Sequence, residues 1–171
     1  IQTPGLSQMF GFTKLRRIAA GTTQRFSTLQ AGLRTLDDEV SMVAIHDVSR
    51  PFIKPDMIAE VVKAGKRYGC GVAARKISEA VKRVDKGQKV AATERKGQYY
   101  LAQTPQVIRR DLLEKGLDKK KSIYNEESSY IEDLKEDVHL VPLTGMNFKI
   151  ESPEDIGWAS ALLRLSQDNN Y

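Results

Sequence analysis

The sequence predicts an α/β protein, a sheet flanked by helices, on three observations. Strand-like and helix-like stretches alternate along the chain. Residues 42–45 and 71–74 are unbroken apolar runs, the form a strand takes when a parallel sheet covers both its faces. The helix-like stretches place apolar residues three and four apart, on one helical face. At 171 residues, one such sheet occupies the chain, so a single domain is expected over 1–171.

Taken in order, residues 14–19 read as a short strand, followed by a turn at Gly21, Thr22 and Thr23. Ser27 opens a helix over 27–36, with Leu29, Leu33 and Leu36 on one side. After the strand at 42–45, Pro55 sits where a first helical turn tolerates it. Ile58, Val61 and Val62 continue that helix and Gly69 can end it. Residues 80–84 and 89–93 flank Asp85, Lys86, Gly87 and Gln88, a hairpin signal with unusually polar flanks. Such flanks are poor core material. The hairpin is therefore expected to project as an arm at about 78–103 and to find its buried face on another chain. Helices follow at 111–117 and 125–134, the second turning Tyr130, Ile131 and Leu134 inward. Residues 138–143 and 147–150 read as the last strands. Ser152, Pro153, Glu154 and Asp155 combine a hydroxyl cap, a first-turn proline and acids at the positive end of the helix dipole. Ile156, Ala159, Leu162 and Leu163 should carry that helix into the core.

Composition narrows the function classes. No apolar run approaches the length that crosses a bilayer, and no membrane partner is expected. Cys70 is the single cysteine, which excludes an internal disulfide and suits a reducing compartment. With two histidines besides, a zinc site of the usual ligand count is not expected. The net charge of +5 conceals an asymmetry: residues 122–171 hold three Lys or Arg against ten Asp or Glu, leaving +12 on residues 1–121. A basic body suits nucleic acid, an anionic small molecule, or plain solvated surface. The run Lys119, Lys120, Lys121 reads as a solvated loop.

Ligands of such sheets bind where loops leave the carboxyl ends of strands. That rule singles out His46, Asp47, Val48, Ser49, Arg50 and Pro51, directly after an apolar strand. A carboxylate and a guanidinium three positions apart could hold a ribose or metal and a phosphate. The same residues could equally cap a turn, and spacing leaves both readings open. A catalytic triad of His46, Asp47 and Ser49 is a poor fit, because adjacent residues on an extended segment point apart.

Further motifs carry a resemblance. Ala20 to Ser27, followed by Gly32-Leu33, is similar to Gly-Gly-x-x-Arg-x-x-Ser-Val-x-x-Gly-Leu. His46 to Pro51 resembles His-Asp-Ala-Ala-Arg-Pro, and Gln103-Thr104-Pro105-Gln106 matches Gln-Thr-Pro-Gln. Asn125 to Ser129 stands where Thr-Asp-Asp-Ala-Ser is usual, and Asn147 to Asp155 resembles Asn-Ile-Lys-Ile-Thr-Thr-Pro-Glu-Asp. In this order, from about residue 14 to the final helix, the motifs resemble the 2-C-methyl-D-erythritol 4-phosphate cytidylyltransferases.

The resemblance implies a Rossmann-like nucleotidyltransferase sheet with a projecting β-arm. It also implies an enzyme of isoprenoid synthesis in which the phosphate of methylerythritol phosphate attacks the α-phosphorus of CTP, with Mg²⁺ and loss of pyrophosphate. By motif position, Gly21, Thr22 and Ser27 hold cytosine. Asp47 and Val48 meet the ribose side, and Asp47 lies near Mg²⁺. Lys149 neutralises the α-phosphate in the transition state, making Lys149 and Asp47 the implied catalytic pair. Arg50, Thr104, Asn125 and Glu151 would surround the alcohol phosphate, joined by Arg95 from the arm of a homodimeric partner. A bacterial cytosol, or a plastid in a eukaryote, is the implied compartment.

Several positions depart from the pattern. Read from the turn, Arg25 stands one place late, behind Gln24. Glu79-Ala80 replaces Asp-Thr at the start of the arm, Asn125 replaces Thr, and Glu151 replaces the Thr two after the lysine. The family's glycine-rich phosphate loop has no counterpart before Lys14, so the expectation is the remainder of a longer enzyme. Two alternatives stand beside the main reading. One is a sister cytidylyltransferase for ribitol phosphate or another polyol phosphate. The other is a basic nucleic-acid-binding module, which the scattered aromatics do not favour.

Overall fold

A computed structural model of the protein describes residues 11–119 and 126–168. A four-stranded mixed sheet, in the order β1-β5-β2-β6, forms its centre. Strand β1 (Met42–Ile45) and strand β2 (Cys70–Lys76) each pair antiparallel with β5 (Tyr100–Arg109), and β2 pairs parallel with β6 (His139–Pro142). The parallel, doubly covered strand expected at 42–45 is corrected here: β1 runs antiparallel to its neighbour, and none of its residues is fully buried. The buried strands are β2, whose first five residues are inaccessible, and β5 over residues 103–108.

Five helices accompany the sheet among the described residues: α1 (Arg25–Leu33), α2 (Pro55–Tyr68), α3 (Arg110–Asp118), α4 (Ser128–Glu132) and α5 (Pro153–Asp168). Helix α2 begins at Pro55 and stops at Gly69, whose φ of 88° is a left-handed conformation that glycine adopts without a Cβ penalty. It lies unusually close to the sheet. A Cβ on Gly65 would meet the Val107 carbonyl oxygen at 2.6 Å, and one on Gly71 would meet the Gly65 nitrogen at 2.7 Å. Val61, Ala73 and Val107 fill that interface. On the other side, Leu33, Val72, Ile108, Leu113, Leu117, Tyr130 and Ile131 form the larger core with Cys70.

Three expectations are corrected. Residues 14–19 form no strand; they are exposed, and no ladder pairs them. Residues 147–150 are irregular rather than a strand, although Ile150 N–H donates to the Ser49 carbonyl at 2.8 Å. Helix α5 does start at its anticipated cap, where Asp155 accepts bonds from the backbone N–H groups of Glu151 and Ser152. Only Ala159 of its supposed inward face is buried, however, while Ile156 and Leu163 are more than half exposed. The hairpin forms as expected: β3 (Lys82–Val84) and β4 (Val90–Thr93) make a separate two-stranded sheet.

Candidate active site

The carboxyl ends of β1, β2 and β6 meet the amino end of β5 at one edge of the sheet, and the 46–51 loop lies there. Polar β5 residues hold this loop. Thr104 Oγ1 accepts the Asp47 backbone N–H at 2.9 Å. Asn147, itself buried, donates to Gln103 Oε1 at 3.1 Å and to the Thr104 carbonyl at 2.8 Å. Its own carbonyl accepts Arg50 Nη1 at 2.8 Å. With the Ser49–Ile150 backbone bond and the Phe52–Phe148 stack at 5.2 Å, these contacts fasten 147–150 to a loop about a hundred residues earlier.

Two clefts open on this junction. The first, about 340 Å³, lies between α1 and β1 and is lined by Leu29, Val43 and Ile45, with Arg25, Asp47 and Glu127 supplying charge. The second, about 520 Å³, is lined by Arg50, Arg75, Gln103, Asn147, Lys149 and Glu151 among others. Asp47 belongs to the first and Arg50 to the second, and Asp47 Oδ2 lies 3.8 Å from Arg50 Nε.

Arg25 organises the first cleft. Its Nη1 and Nη2 each donate to Asp47 Oδ1 at 3.2 Å, and its Nε donates to Glu127 Oε1 at 2.5 Å. The bond to Glu127 and the two carboxylates together raise the guanidinium pKa against the opposing effect of burial. Arg50 shows the reverse balance, since burial lowers its pKa although Asp47 and Glu151 favour the cation. Its Nε and Asn147 Oδ1 are buried without a hydrogen-bond partner.

The implied site residues divide by location. Asp47, Arg50, Thr104, Lys149 and Glu151 come together around the junction. Lys149 Nζ is paired with Glu151 Oε1 at 2.8 Å. Val48 is 96% exposed at the loop tip. Arg95 is exposed on the arm and is not among the residues lining the second cleft of its own chain. Asn125 lies outside the described residues.

At the turn the structure shifts the register. Thr28 Oγ1 accepts the Thr22 backbone N–H at 2.8 Å, whereas the Ser27 hydroxyl makes no hydrogen bond among the described residues. A Cβ on Gly21 would meet Thr28 Oγ1 at 3.3 Å, so turn and helix are in close contact. Counted back from Gly32-Leu33, the motif's serine position falls on Thr28 and its arginine on Arg25. Setting the motif's glycine pair on Ala20-Gly21 missed both by one position, because the pair falls on Gly21-Thr22. Glu127, 102 positions from Arg25, stands at the second acidic position of the motif at Asn125 to Ser129, but nothing in the sequence paired it with Arg25.

A cation-lined cleft at the carboxyl ends of α/β strands, beside a cleft held by an Arg–carboxylate network, is the build of a protein that binds phosphorylated ligands. Comparison with known proteins makes this specific. Residues 2–165 match the family described as 2-C-methyl-D-erythritol 4-phosphate cytidylyltransferase, and the chain belongs to that family. It is similar to the enzyme of that name from Dehalococcoides mccartyi, with 31% identity over 93% of this chain and 70% of the relative. The Syntrophus aciditrophicus enzyme is 30% identical over 93% of this chain and 69% of its own length. Among solved structures, 4-diphosphocytidyl-2C-methyl-D-erythritol synthase from Anaerococcus prevotii superposes with a TM-score of 0.85. The identity is 26%, over 95% of this chain and 77% of that one.

Proposed function

We propose that the protein transfers a cytidylyl group from CTP to 2-C-methyl-D-erythritol 4-phosphate and releases pyrophosphate. The observation that carries this reading is the junction at Asp47 and Arg50, where two clefts of different chemistry share one ion pair. Such a junction suits a reaction joining two anionic substrates, in which positioning and charge neutralisation do most of the work.

In this reading the nucleotide approaches from the α1 side. Gly21 and Thr22 meet cytosine with the hydroxyl of Thr28, which holds the motif's serine position and bonds to the turn, in place of the Ser27 first expected. Asp47 and the Val48 backbone face the ribose, with Arg25 fixing the Asp47 carboxylate. Arg50 and Thr104 receive the alcohol phosphate in the second cleft, with Glu151 near its polyol, Asn125 alongside and Arg95 arriving from a partner's arm. Lys149 meets charge building on the α-phosphate as the acceptor oxygen attacks.

Among the described residues no three His, Cys, Asp or Glu side chains gather as a metal site. A single carboxylate stands at the junction, Asp47, and Mg²⁺ commonly takes one or two carboxylates and completes its shell with substrate phosphates and water. Asp47 is the residue to hold it, and the ion would supply further neutralisation of the triphosphate.

The test is pyrophosphate release with CTP and either methylerythritol phosphate or ribitol phosphate. Turnover with the first and little with the second is expected. Preference for ribitol phosphate would reassign the acceptor, and indifference to both would reject the proposal.

A further inference from the structure

Arg75 is the basic residue of the second cleft that the family motifs leave without a role. It stands at the end of β2, where the strand's five buried residues give way to two exposed ones, paired in register with Leu101. The backbone that carries it is therefore fixed by the most buried part of the sheet. Arg75, Arg50 and Lys149 give the cleft three cations, and the acid on its wall, Glu151, is already paired with Lys149. The Arg75 guanidinium makes no ion pair or hydrogen bond among the described residues. Glu79 feels its charge at longer range, but the closer partner of that carboxylate is the Ser78 hydroxyl.

A phosphate monoester carries close to two negative charges and three acceptor oxygens at neutral pH. One guanidinium satisfies two of those oxygens in a fork–fork contact, and a second approaching from another element can take the third. Arg50 comes from the loop after β1 and Arg75 from the end of β2, so their backbones are separately anchored. We propose that Arg75 binds the phosphate of the acceptor together with Arg50 and thereby helps set the enzyme's preference for phosphorylated polyols. This inference rests on the cytidylyl-transfer reading above.

The experiment compares wild type, Arg75→Ala and Arg75→Lys in steady-state kinetics, with titration calorimetry of methylerythritol phosphate binding and a melting curve for each. Arg75→Ala should raise KM and Kd for the alcohol phosphate roughly tenfold or more, the value of one charge-assisted contact. KM for CTP should change by less than about twofold, because a contact confined to the acceptor does not touch the nucleotide. Arg75→Lys should recover part of the loss by keeping the charge without the fork. An active wild type with an unaltered Arg75→Ala variant would overturn the role of Arg75 alone. So would a variant in which both KM values rise together with a lowered Tm, the signature of structural damage. A wild type that neither binds nor turns over methylerythritol phosphate would overturn both readings.

Discussion

Lys149 Nζ and Glu151 Oε1 are 2.8 Å apart on the wall of the second cleft, so the cation nearest the proposed point of transfer is already paired before any substrate arrives. Both side chains are partly exposed, at 37% and 66%, and such a pair is held by less than about 1 kcal/mol. An incoming phosphate can displace Glu151 at small cost. Glu151→Thr should therefore lower KM for the alcohol phosphate by about two- to fivefold and strengthen its dependence on salt, because the cleft's net positive charge rises. Lys149→Ala should lower kcat about 100- to 1000-fold while KM for CTP moves far less, since the charge is needed most in the transition state. Equal losses in kcat and CTP affinity would contradict that role, and initial-rate kinetics over both substrates measure the split.

Arg25 gives a stability prediction. Glu127 is 3% exposed and has Arg25 as its ion-pair partner, so Arg25→Ala leaves a buried carboxylate without its counter-charge. A loss of about 1–3 kcal/mol is expected, or about 3–10 °C in Tm for a chain of this size. Adding Glu127→Gln should return part of it. A double variant that melts lower than the sum of the two singles would count against this pairing.

Which of these features were legible beforehand follows from how each is held. Strand β2 and helix α2 declared themselves because apolar runs and three-four spacing report burial directly. Strand β5 did not, although it is the longest and most central strand. Its middle reads Gln103, Thr104, Pro105, Gln106, and a proline with three polar residues argues against a central strand. Those side chains are buried because they hold the 46–51 loop and Asn147, a tertiary reason with no periodic trace. Asp47 and Arg50 could be found from their place after an apolar strand. The pairing of Arg25 with Glu127 could not, since it depends on α1 and α4 meeting across the first cleft. Helix α5 misled in the opposite direction, showing an apolar stripe that leaves Ile156 and Leu163 exposed.

The arm yields a prediction about assembly. It pairs only with itself among the described residues, and Val84 and Val90 are more than half exposed on it. A homodimer at micromolar concentration is expected, with Arg95 serving the partner's site. Mixing Arg95→Ala with Lys149→Ala protein should restore up to about a quarter of wild-type activity, because half the dimers would then carry one intact site. Full activity in a protein that sediments as a monomer would refute this.

Cys70 gives a pH dependence. Burial, aided by Glu126 and Glu132, pushes its thiol up from 9.0 to about 12. The folded state therefore keeps this proton where the unfolded state releases it. The group's contribution is fully present below about pH 9 and is lost as pH rises toward about 12. At pH 8 the native thiolate fraction is on the order of one in ten thousand, so a thiol reagent should label Cys70 only on unfolding. Rapid labelling of the native protein would show that the site is more open than its burial implies.

The central claim is that the acceptor phosphate attacks the α-phosphorus of CTP at the junction of the two clefts. It is tested most directly by following label from CTP carrying ³²P at either the α or the γ position, with methylerythritol phosphate as acceptor. The α label should move quantitatively into a cytidylylated alcohol phosphate, and the γ label should leave as pyrophosphate. Transfer of γ label to the acceptor, or α label recovered in CDP, would contradict it.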